Sequence, residues 1–248
     1  CSPLPSTARK TKMWDEWAKY LVLILEAYIL GALPFIYLLG RLQGIDLRES
    51  GDMHIALWQN VGRVQGFVGV VFDFAKGVIA ILVARALSFD PGWVAFAGVA
   101  TVGGQMWPVF LKFDGEKGNS TGLAMSGALA TKAMLIALVP IATGFFVRTA
   151  PRFWQRNQSL DERLKFGGPP SLSLPLGMAA GFAALLLAAW GMGQPLEVIL
   201  AFVSLFVLIM VRRLTAGVTE ELRQPSGKKS MLLNRLLFDR SKIETETS

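Results

Sequence analysis

The chain has 248 residues, of which 52% are hydrophobic and only 17% are charged. A soluble domain ordinarily has about a quarter charged residues, so the composition predicts an integral membrane protein. The net charge of +7 comes from Lys and Arg between apolar runs, which indicates contact with anionic membrane lipids and not with nucleic acid. The chain has one cysteine and one histidine, which excludes internal disulfides, cysteine clusters and histidine-rich metal sites, and we expect no metal ion or other cofactor.

Polar residues open the chain and are predicted to form an N-terminal extension over residues 1–17. Met13 and Trp14 stand just before the first apolar run, as a natural start of translation would. Cys1 therefore has two interpretations. It is either a lipidated mature N-terminus or part of an extension ahead of Met13, and the second interpretation is favoured.

Apolar runs of nearly membrane-spanning length define a membrane domain over residues 18–222. The predicted spans are residues 18–40, 66–87, 93–113, 172–190 and 196–211. Residues 122–147 allow two interpretations. They form one long span, or a short helix over 122–130 that turns near Thr131 and returns over 133–147.

The distribution of positive charge decides between six and seven segments. With seven, three loops and the tail lie on one face and carry 18 of the 25 Lys and Arg residues, in residues 41–65, 112–121, 148–170 and 212–248. With six segments, the basic loop over 148–170 and the basic tail lie on opposite faces of the membrane, and this distribution of positive charge conflicts with the positive-inside rule. The sequence therefore predicts an all-α polytopic membrane protein with about seven transmembrane segments, some of them short or broken.

Two ionisable residues, Asp73 and Lys76, lie within the second predicted span, where charges are costly. They are three residues apart and therefore share one face of the helix. We expect a structural ion pair that faces the interior of the helix bundle.

Two basic regions flank the last spans. Residues 148–170 contain five Arg and Lys together with aromatic residues, which predicts a cytoplasmic loop at the membrane interface. Residues 223–248 form a polar cytoplasmic tail. Its apolar clusters at 231–233 and 236–238, with Arg235 and Arg240, predict a short amphipathic helix on the membrane surface.

The most informative stretch joins the third and fourth segments and reads GQMWPVFLKFDGEKGNST over residues 104–121. Glycines let backbone N–H groups converge on a phosphate, and Lys112 and Lys117 add positive charge. The next helix begins with the positive end of its dipole toward the loop. Taken alone, the stretch fits either an anion site or a basic turn between two membrane helices.

This stretch resembles the motif G-H-x-F-P-V-F-L-x-F-x-G-G-K-G-V-A-T of the bacterial acyl-phosphate:glycerol-3-phosphate acyltransferases. It departs from that motif at Gln105, where the family has histidine, and at Glu116, where the family has glycine. The resemblance implies that Lys117 binds a substrate phosphate. The other residues assigned to phosphate binding in this stretch are Lys112, Gly118 and Thr121.

Three further elements carry the resemblance, which covers about residues 14–222. Residues 31–41 resemble G-S-x-P-x-x-Y-L-x-G-R, with Arg41 as the phosphate ligand and Ala32 in place of a functional serine. Ser171 lies where the family has a serine that faces the phosphate. Residues 207–220 resemble H-R-x-N-I-x-R-L-x-x-G-x-E, with Val207 and Met210 in place of the functional histidine and asparagine.

The family's glycine-rich phosphate loop corresponds to residues 50–60, which are shortened here and have lost most of its glycines. Asp52 in this region would repel a phosphate. His54 is either a solvated histidine at the membrane interface or a new acid–base group, and the first interpretation is favoured.

The resemblance implies a divergent acyltransferase of phospholipid synthesis in the inner membrane of a bacterium, with acyl phosphate and glycerol 3-phosphate as substrates. No catalytic residue is assigned. Because polar ligands are replaced at four positions, a second hypothesis is a catalytically inactive relative that serves as a structural or lipid-binding subunit of a membrane complex. Those positions are Ala32, Gln105, Val207 and Met210.

Overall fold

The structure is a computed structural model that describes residues 6–47, 53–154, 172–216 and 228–239. Within these ranges the secondary structure is helical, with a short 3₁₀ turn at Val109–Leu111. The α-helices are α1 (Ser6–Ala32), α2 (Phe35–Leu42), α3 (Met53–Asn60), α4 (Arg63–Ala86), α5 (Pro91–Met106), α6 (Asn119–Leu129), α7 (Thr131–Phe153), α8 (Ser173–Gly191), α9 (Leu196–Thr215) and α10 (Lys228–Phe238).

Six helical segments among the described residues are long and apolar enough to cross a membrane, the first of them formed by α1 and α2 together. Helix α6 has 11 residues and is therefore only about 16 Å long, so it is a short seventh segment. It ends at Leu129, and α7 begins at Thr131. The prediction of an all-α membrane protein with about seven segments, including the division of residues 122–147, is confirmed.

Two prolines set where membrane helices break. The span predicted over 18–40 is interrupted between α1 and α2, because Pro34 has no N–H to continue the helical hydrogen bonds. Helix α5 ends before Pro108 for the same reason. At the other end, α1 already begins at Ser6, inside the predicted extension, since helix-forming residues such as Ala8 and Arg9 continue the helix outward.

Close backbone contact fixes α5 against α1. A side chain at Gly31 would place its Cβ 1.9 Å from the carbonyl oxygen of Thr101, and one at Gly104 would place its Cβ 2.1 Å from the carbonyl oxygen of Tyr28. The Tyr28 hydroxyl also donates a hydrogen bond of 2.6 Å to the carbonyl oxygen of Trp107. The end of α5 is therefore held in one position relative to α1.

An apolar core joins α4, α5 and α6 to α8 and α9. Its largest fully buried side chains include Phe182, Leu185, Phe202 and Leu205, which pack between the last two long helices and the rest of the bundle. Helix α6 joins α4 through the hydroxyl of Thr121, which donates a 2.8 Å hydrogen bond to the backbone carbonyl of Asp73.

The tail helix α10 packs against α8 and α9. A helix on the membrane surface was predicted here. The structure buries the side chains of Met231 and Arg235 against the protein, and contact of this helix with the membrane stays a prediction. Polar contacts hold the helix in place, since Arg213 donates hydrogen bonds to the carbonyl oxygens of Leu236 (3.2 Å) and Pro175 (3.0 Å). Helix α10 therefore closes one side of the bundle.

Candidate functional site

A small cleft lies where the break between α1 and α2 faces α4, the end of α5 and the loop after it. Ala32, at the position of the family's functional serine, lines this cleft. Polar and charged side chains also line it, namely Tyr37, Asp73, Lys76, Gln105 and Glu116. The cleft therefore joins a broken membrane helix to a set of buried polar groups.

The buried carboxylate of Asp73, on α4, is the centre of these groups; its side chain is 1% exposed. Its Oδ1 lies 3.0 Å from Nζ of Lys76, one helical turn further on. Its Oδ2 accepts a 2.6 Å hydrogen bond from Nε2 of Gln105 and lies 3.1 Å from Nε2 of His54. The predicted ion pair of Asp73 and Lys76 is thus part of a larger arrangement.

Glu116 brings a second carboxylate to the same place. Its Oε2 lies 3.0 Å from Nε2 of His54 and accepts a 3.1 Å hydrogen bond from Nε2 of Gln105. We call His54, Asp73, Gln105 and Glu116 the polar cluster. Its four members come from α3, α4, α5 and the loop before α6, so the cluster ties four segments together.

Lys76 connects this cluster to the helix break. Its ammonium donates hydrogen bonds to the carbonyl oxygens of Leu33 (2.7 Å) and Gly31 (3.4 Å). The end of a helix leaves carbonyl groups without intrahelical partners, and a buried cation is an effective donor to them. The lysine is fully engaged in structural contacts.

His54 and Glu116 are the two ionisable groups of the polar cluster that lie outside the membrane spans. Burial and nearby charges shift the pKa of each in opposite directions. Burial opposes the charge on His54, but the carboxylates of Glu116 and Asp73 outweigh it and raise the pKa of the imidazole to about 11. Burial raises the pKa of Glu116 to about 7, although the His54 imidazolium favours the ionised form. In the absence of another bound cation, His54 is therefore positively charged at neutral pH.

The loop between α5 and α6 aims Glu116 into the cluster. Lys112 and Phe113 take left-handed backbone conformations, with φ of 54° and 64°, and turn the chain back. The backbone N–H of Glu116 then donates a 3.1 Å hydrogen bond to the carbonyl oxygen of Gln105. Arg212 of α9 holds the loop from outside through Asp114 at 2.8 Å.

Lys117 follows Glu116 but points to a different place. Its side chain is 38% exposed and forms an ion pair with Asp239, just after α10. Gly118 next to it has a φ of +71° and precedes α6; a Cβ there would lie 2.6 Å from a side-chain carbon of Met106. A cation, a glycine in left-handed conformation and a helix N-terminus thus lie next to one another, and anion binding at this point stays a prediction.

The other residues predicted to bind phosphate are more scattered. Arg41 lies at the end of α2 with a side chain 53% exposed, 3.7 Å from Asp46, and Lys112 is exposed on the loop. Thr121 is buried and uses its hydroxyl to join α6 to α4. Ser171 lies outside the described residues. Neither of these cations, nor Lys117, is among the residues that line the cleft.

Two further replaced positions, Val207 and Met210, lie on α9. The Val207 side chain is 51% exposed, and Met210 packs against the apolar core. Neither position has a polar role in this chain.

Sequence reasoning underestimated His54. It was expected to be a solvated interfacial histidine in a loop, but it lies on α3, and its side chain is only 22% exposed. Gln105, where the family has histidine, contacts the same oxygen of Asp73 as His54 does. His54 thus supplies Asp73 with the imidazole that is missing at position 105. The absence of histidine at 105, together with the presence of the single histidine at 54, was the feature of the sequence that could have indicated this contact.

Comparison with known proteins identifies the family of this chain. The profile of the family described as glycerol-3-phosphate acyltransferase matches residues 21–218. The chain is 33% identical over 226 residues to glycerol-3-phosphate acyltransferase 4 of Dehalococcoides mccartyi, with 89% of each chain covered. It is 30% identical over 226 residues to glycerol-3-phosphate acyltransferase 5 from another strain of that species, covering 89% of this chain and 88% of the relative.

A solved structure has the same fold. It is the crystal structure of PlsY (YgiH), an integral membrane glycerol 3-phosphate acyltransferase, in its glycerol 3-phosphate form. Its TM-score is 0.62 at 26% identity, and the match covers 82% of this chain and 92% of that chain. On the profile match and the near-complete alignments, the chain belongs to the glycerol-3-phosphate acyltransferase family.

Proposed function

We propose that this protein transfers an acyl group from an acyl phosphate to glycerol 3-phosphate in phospholipid synthesis. The observation that carries the proposal is a similarity that extends over 89% of both this chain and a relative named for that acceptor. The geometry supports it through Lys117, a cation just before α6 that is already paired with a carboxylate and lies outside the cleft at the helix break.

The reaction needs little covalent help from the protein. A hydroxyl oxygen of glycerol 3-phosphate forms a bond to the acyl carbonyl carbon, the bond from that carbon to the phosphate oxygen of the donor breaks, and the hydroxyl proton leaves with the released inorganic phosphate. Two anionic groups must therefore be held close together with their charges screened and water excluded. Cations and backbone N–H groups at the edge of the membrane meet this need.

Lys117 is the cation best placed to bind a substrate phosphate. It already pairs with the carboxylate of Asp239, so an anion occupies this position in the free protein. The backbone after Gly118 begins α6, whose N-terminal N–H groups favour a second negative contact. Arg41, Lys112 and Ser171 remain proposed contributors, whereas Thr121 has a structural role in this conformation.

The protein is proposed to lie in the inner membrane of a bacterium with the site and the C-terminus facing the cytoplasm. The loop with Lys112 and Lys117 and the basic residues near α10 would then share the face on which most Lys and Arg of this chain are expected. Anionic lipids of that leaflet would contact this face.

The test is acyl transfer by the purified protein, measured by mass spectrometry of the acylated glycerol phosphate. Acyl phosphate and acyl-CoA are offered as alternative donors. Lys117→Ala is expected to lower turnover about 10²-fold or more, as the loss of one charge-assisted donor does. Lys132→Ala removes an exposed lysine beyond the other end of α6 and is the matched control.

Two results decide the proposal. Product formed from acyl phosphate by the wild type and the Lys132→Ala variant, but not by Lys117→Ala, supports it. A wild-type rate no higher than that of Lys117→Ala overturns it and favours an inactive, lipid-binding relative, in which the replacements at Ala32, Gln105, Val207 and Met210 have removed the activity.

A further inference from the structure

We propose that the polar cluster is a binding site for one divalent transition-metal ion, with Mn²⁺ as the best match and Zn²⁺ as the second. The proposal departs from the expectation, drawn from the single histidine and single cysteine, that no metal binds. It does not depend on the proposed function, because it rests on His54, Asp73, Gln105 and Glu116 alone.

The four terminal atoms of the cluster form a closed ring. Going around it, Oδ2 of Asp73 lies 3.1 Å from Nε2 of His54, which lies 3.0 Å from Oε2 of Glu116. Nε2 of Gln105 closes the ring at 3.1 Å from the glutamate and 2.6 Å from the aspartate. One ligand atom from each of the histidine and the two acids lies within 4.8 Å of the others.

These distances suit a metal ion at the centre of the ring. Ligand atoms about 2.1 Å from an ion and at right angles to one another, as in the octahedral coordination typical of Mn²⁺, lie about 3.0 Å apart. Three of the four sides of the ring differ from that length by about a tenth of an ångström. Coordination would therefore require little movement of the helices that supply the ligands.

Hydrogen bonds alone do not satisfy all the atoms of this ring. The Nε2 atom of His54 carries at most one hydrogen, yet it lies at hydrogen-bond distance from two carboxylate oxygens. One proton cannot make a full hydrogen bond to both. A cation at the centre would contact both carboxylates at once and would accept the lone pair of the neutral imidazole.

Gln105 provides a second and independent indication. Its side chain is 4% exposed, and Oε1 has no hydrogen-bond partner among the described residues. Nitrogen and oxygen of a side-chain amide exchange places when the amide turns by half a revolution. Turned in that way, the glutamine would present its oxygen to the centre of the ring as a fourth ligand.

Charge and ligand type indicate which ion fits. Lys76 lies on Oδ1 of Asp73 and leaves Oδ2 free to face the ring. Two carboxylates can balance a divalent ion, and the imidazole nitrogen favours a transition metal over Mg²⁺ or Ca²⁺. A four-ligand ring also leaves coordination positions open, and the cleft reaches Asp73, Gln105 and Glu116.

The experiment uses the full chain, purified in detergent and stripped with EDTA. Zn²⁺ and Mn²⁺ are added separately, and bound metal is measured by elemental mass spectrometry after gel filtration. Bound Mn²⁺ is also followed by its electron paramagnetic resonance spectrum. We expect one ion per chain and a thermal midpoint that rises with metal concentration, as linkage requires.

Glu116→Gln and His54→Gln are expected to weaken binding about tenfold or more, because the first replaces a charged carboxylate by a neutral amide and the second replaces an imidazole by that weaker ligand. Glu197→Gln is the matched control: it makes the same substitution at an exposed glutamate in the first turn of α9, outside the polar cluster. Glu116→Gln changes no helix, so it remains informative if His54→Gln fails to fold.

The proposal is overturned if the stripped wild type takes up neither ion, or if folded Glu116→Gln binds metal as tightly as the wild type. Acyl transfer is not a readout of this test. Failure of the metal site would leave the proposed acyltransferase activity untouched, and loss of that activity would leave the metal measurement valid.

Discussion

Glu116 and Lys117 are neighbours in the chain but belong to two different environments. Glu116 enters the polar cluster, where the Asp73 carboxylate is 1% exposed and His54 and Gln105 complete the contacts. Lys117 faces the other way, is 38% exposed, and pairs with Asp239 of the tail. The loop therefore divides one short charged sequence between the interior and a half-open surface.

A charge pair in the buried polar cluster and a charge pair at the surface have different roles in this protein. A buried pair is expensive to leave incomplete, since an uncompensated charge would remain in a low-dielectric interior. A half-exposed pair is worth little by itself and exchanges readily with other ions. The polar cluster is therefore suited to stabilise the packing of the helices. Lys117 is suited to release the Asp239 carboxylate and bind a substrate anion in its place.

The largest expected effect is on stability and comes from breaking the buried pair. Lys76→Met leaves the Asp73 carboxylate without its ammonium partner and should lower the free energy of unfolding by about 3–5 kcal/mol. Denaturant unfolding in detergent, followed by tryptophan fluorescence, measures the change.

The double variant Asp73→Asn/Lys76→Met is the control for this pair, because it removes both charges together. It should recover a large part of the lost stability. Equal losses in the single and double variants would show that the ion pair does not account for the effect.

An intermediate effect is expected where helix contact positions the polar cluster. Gly104→Ala would force its Cβ to within 2.1 Å of the Tyr28 carbonyl oxygen and push α5 from α1, which typically costs about 1–3 kcal/mol. Gly103→Ala, on the same helix, meets nothing within 4 Å and is the matched control. A thermal midpoint lowered equally by both variants would contradict the packing described here.

The smallest effect is expected at the partly exposed pair of Lys117 (38% exposed) and Asp239 (11% exposed), and it concerns binding. Asp239→Asn removes the anion that competes for Lys117, so the KM for glycerol 3-phosphate should fall about two- to fivefold, as a pair at the surface is worth about 0.2–1 kcal/mol. The difference should shrink as salt is added. Asp90→Asn, at the far end of α5, is the control, and a KM that rises in Asp239→Asn alone would refute competition at Lys117.

Much of the fold could be predicted from the sequence, because its signals are local. Apolar run lengths located the spans, and the charge distribution divided residues 122–147 correctly. The predicted third span ran to residue 113, however, whereas α5 ends at Met106, before Pro108. The break at Pro34 was missed, since apolar residues continue on both sides of it and hide the lost hydrogen bond.

The candidate site was predicted less completely, because its contacts are distant in the chain. His54 reaches Asp73 only through the packing of α3 on α4, and Glu116 is aimed by left-handed backbone at non-glycine residues. Asp239 meets Lys117 after more than a hundred intervening residues. Composition and residue spacing do not indicate contacts between residues that are so distant in the chain. Lys117 itself could be found, because it lies within a recognisable motif.

The central claim is that Lys117 binds the phosphate of the acceptor, and equilibrium binding of radiolabelled glycerol 3-phosphate to the purified protein tests it most directly. The account predicts saturable binding by the wild type, and affinity at least about tenfold weaker in Lys117→Ala, as expected when a charge-assisted contact is lost. Lys132→Ala should bind like the wild type. Equal affinity in the wild type and Lys117→Ala would contradict the account.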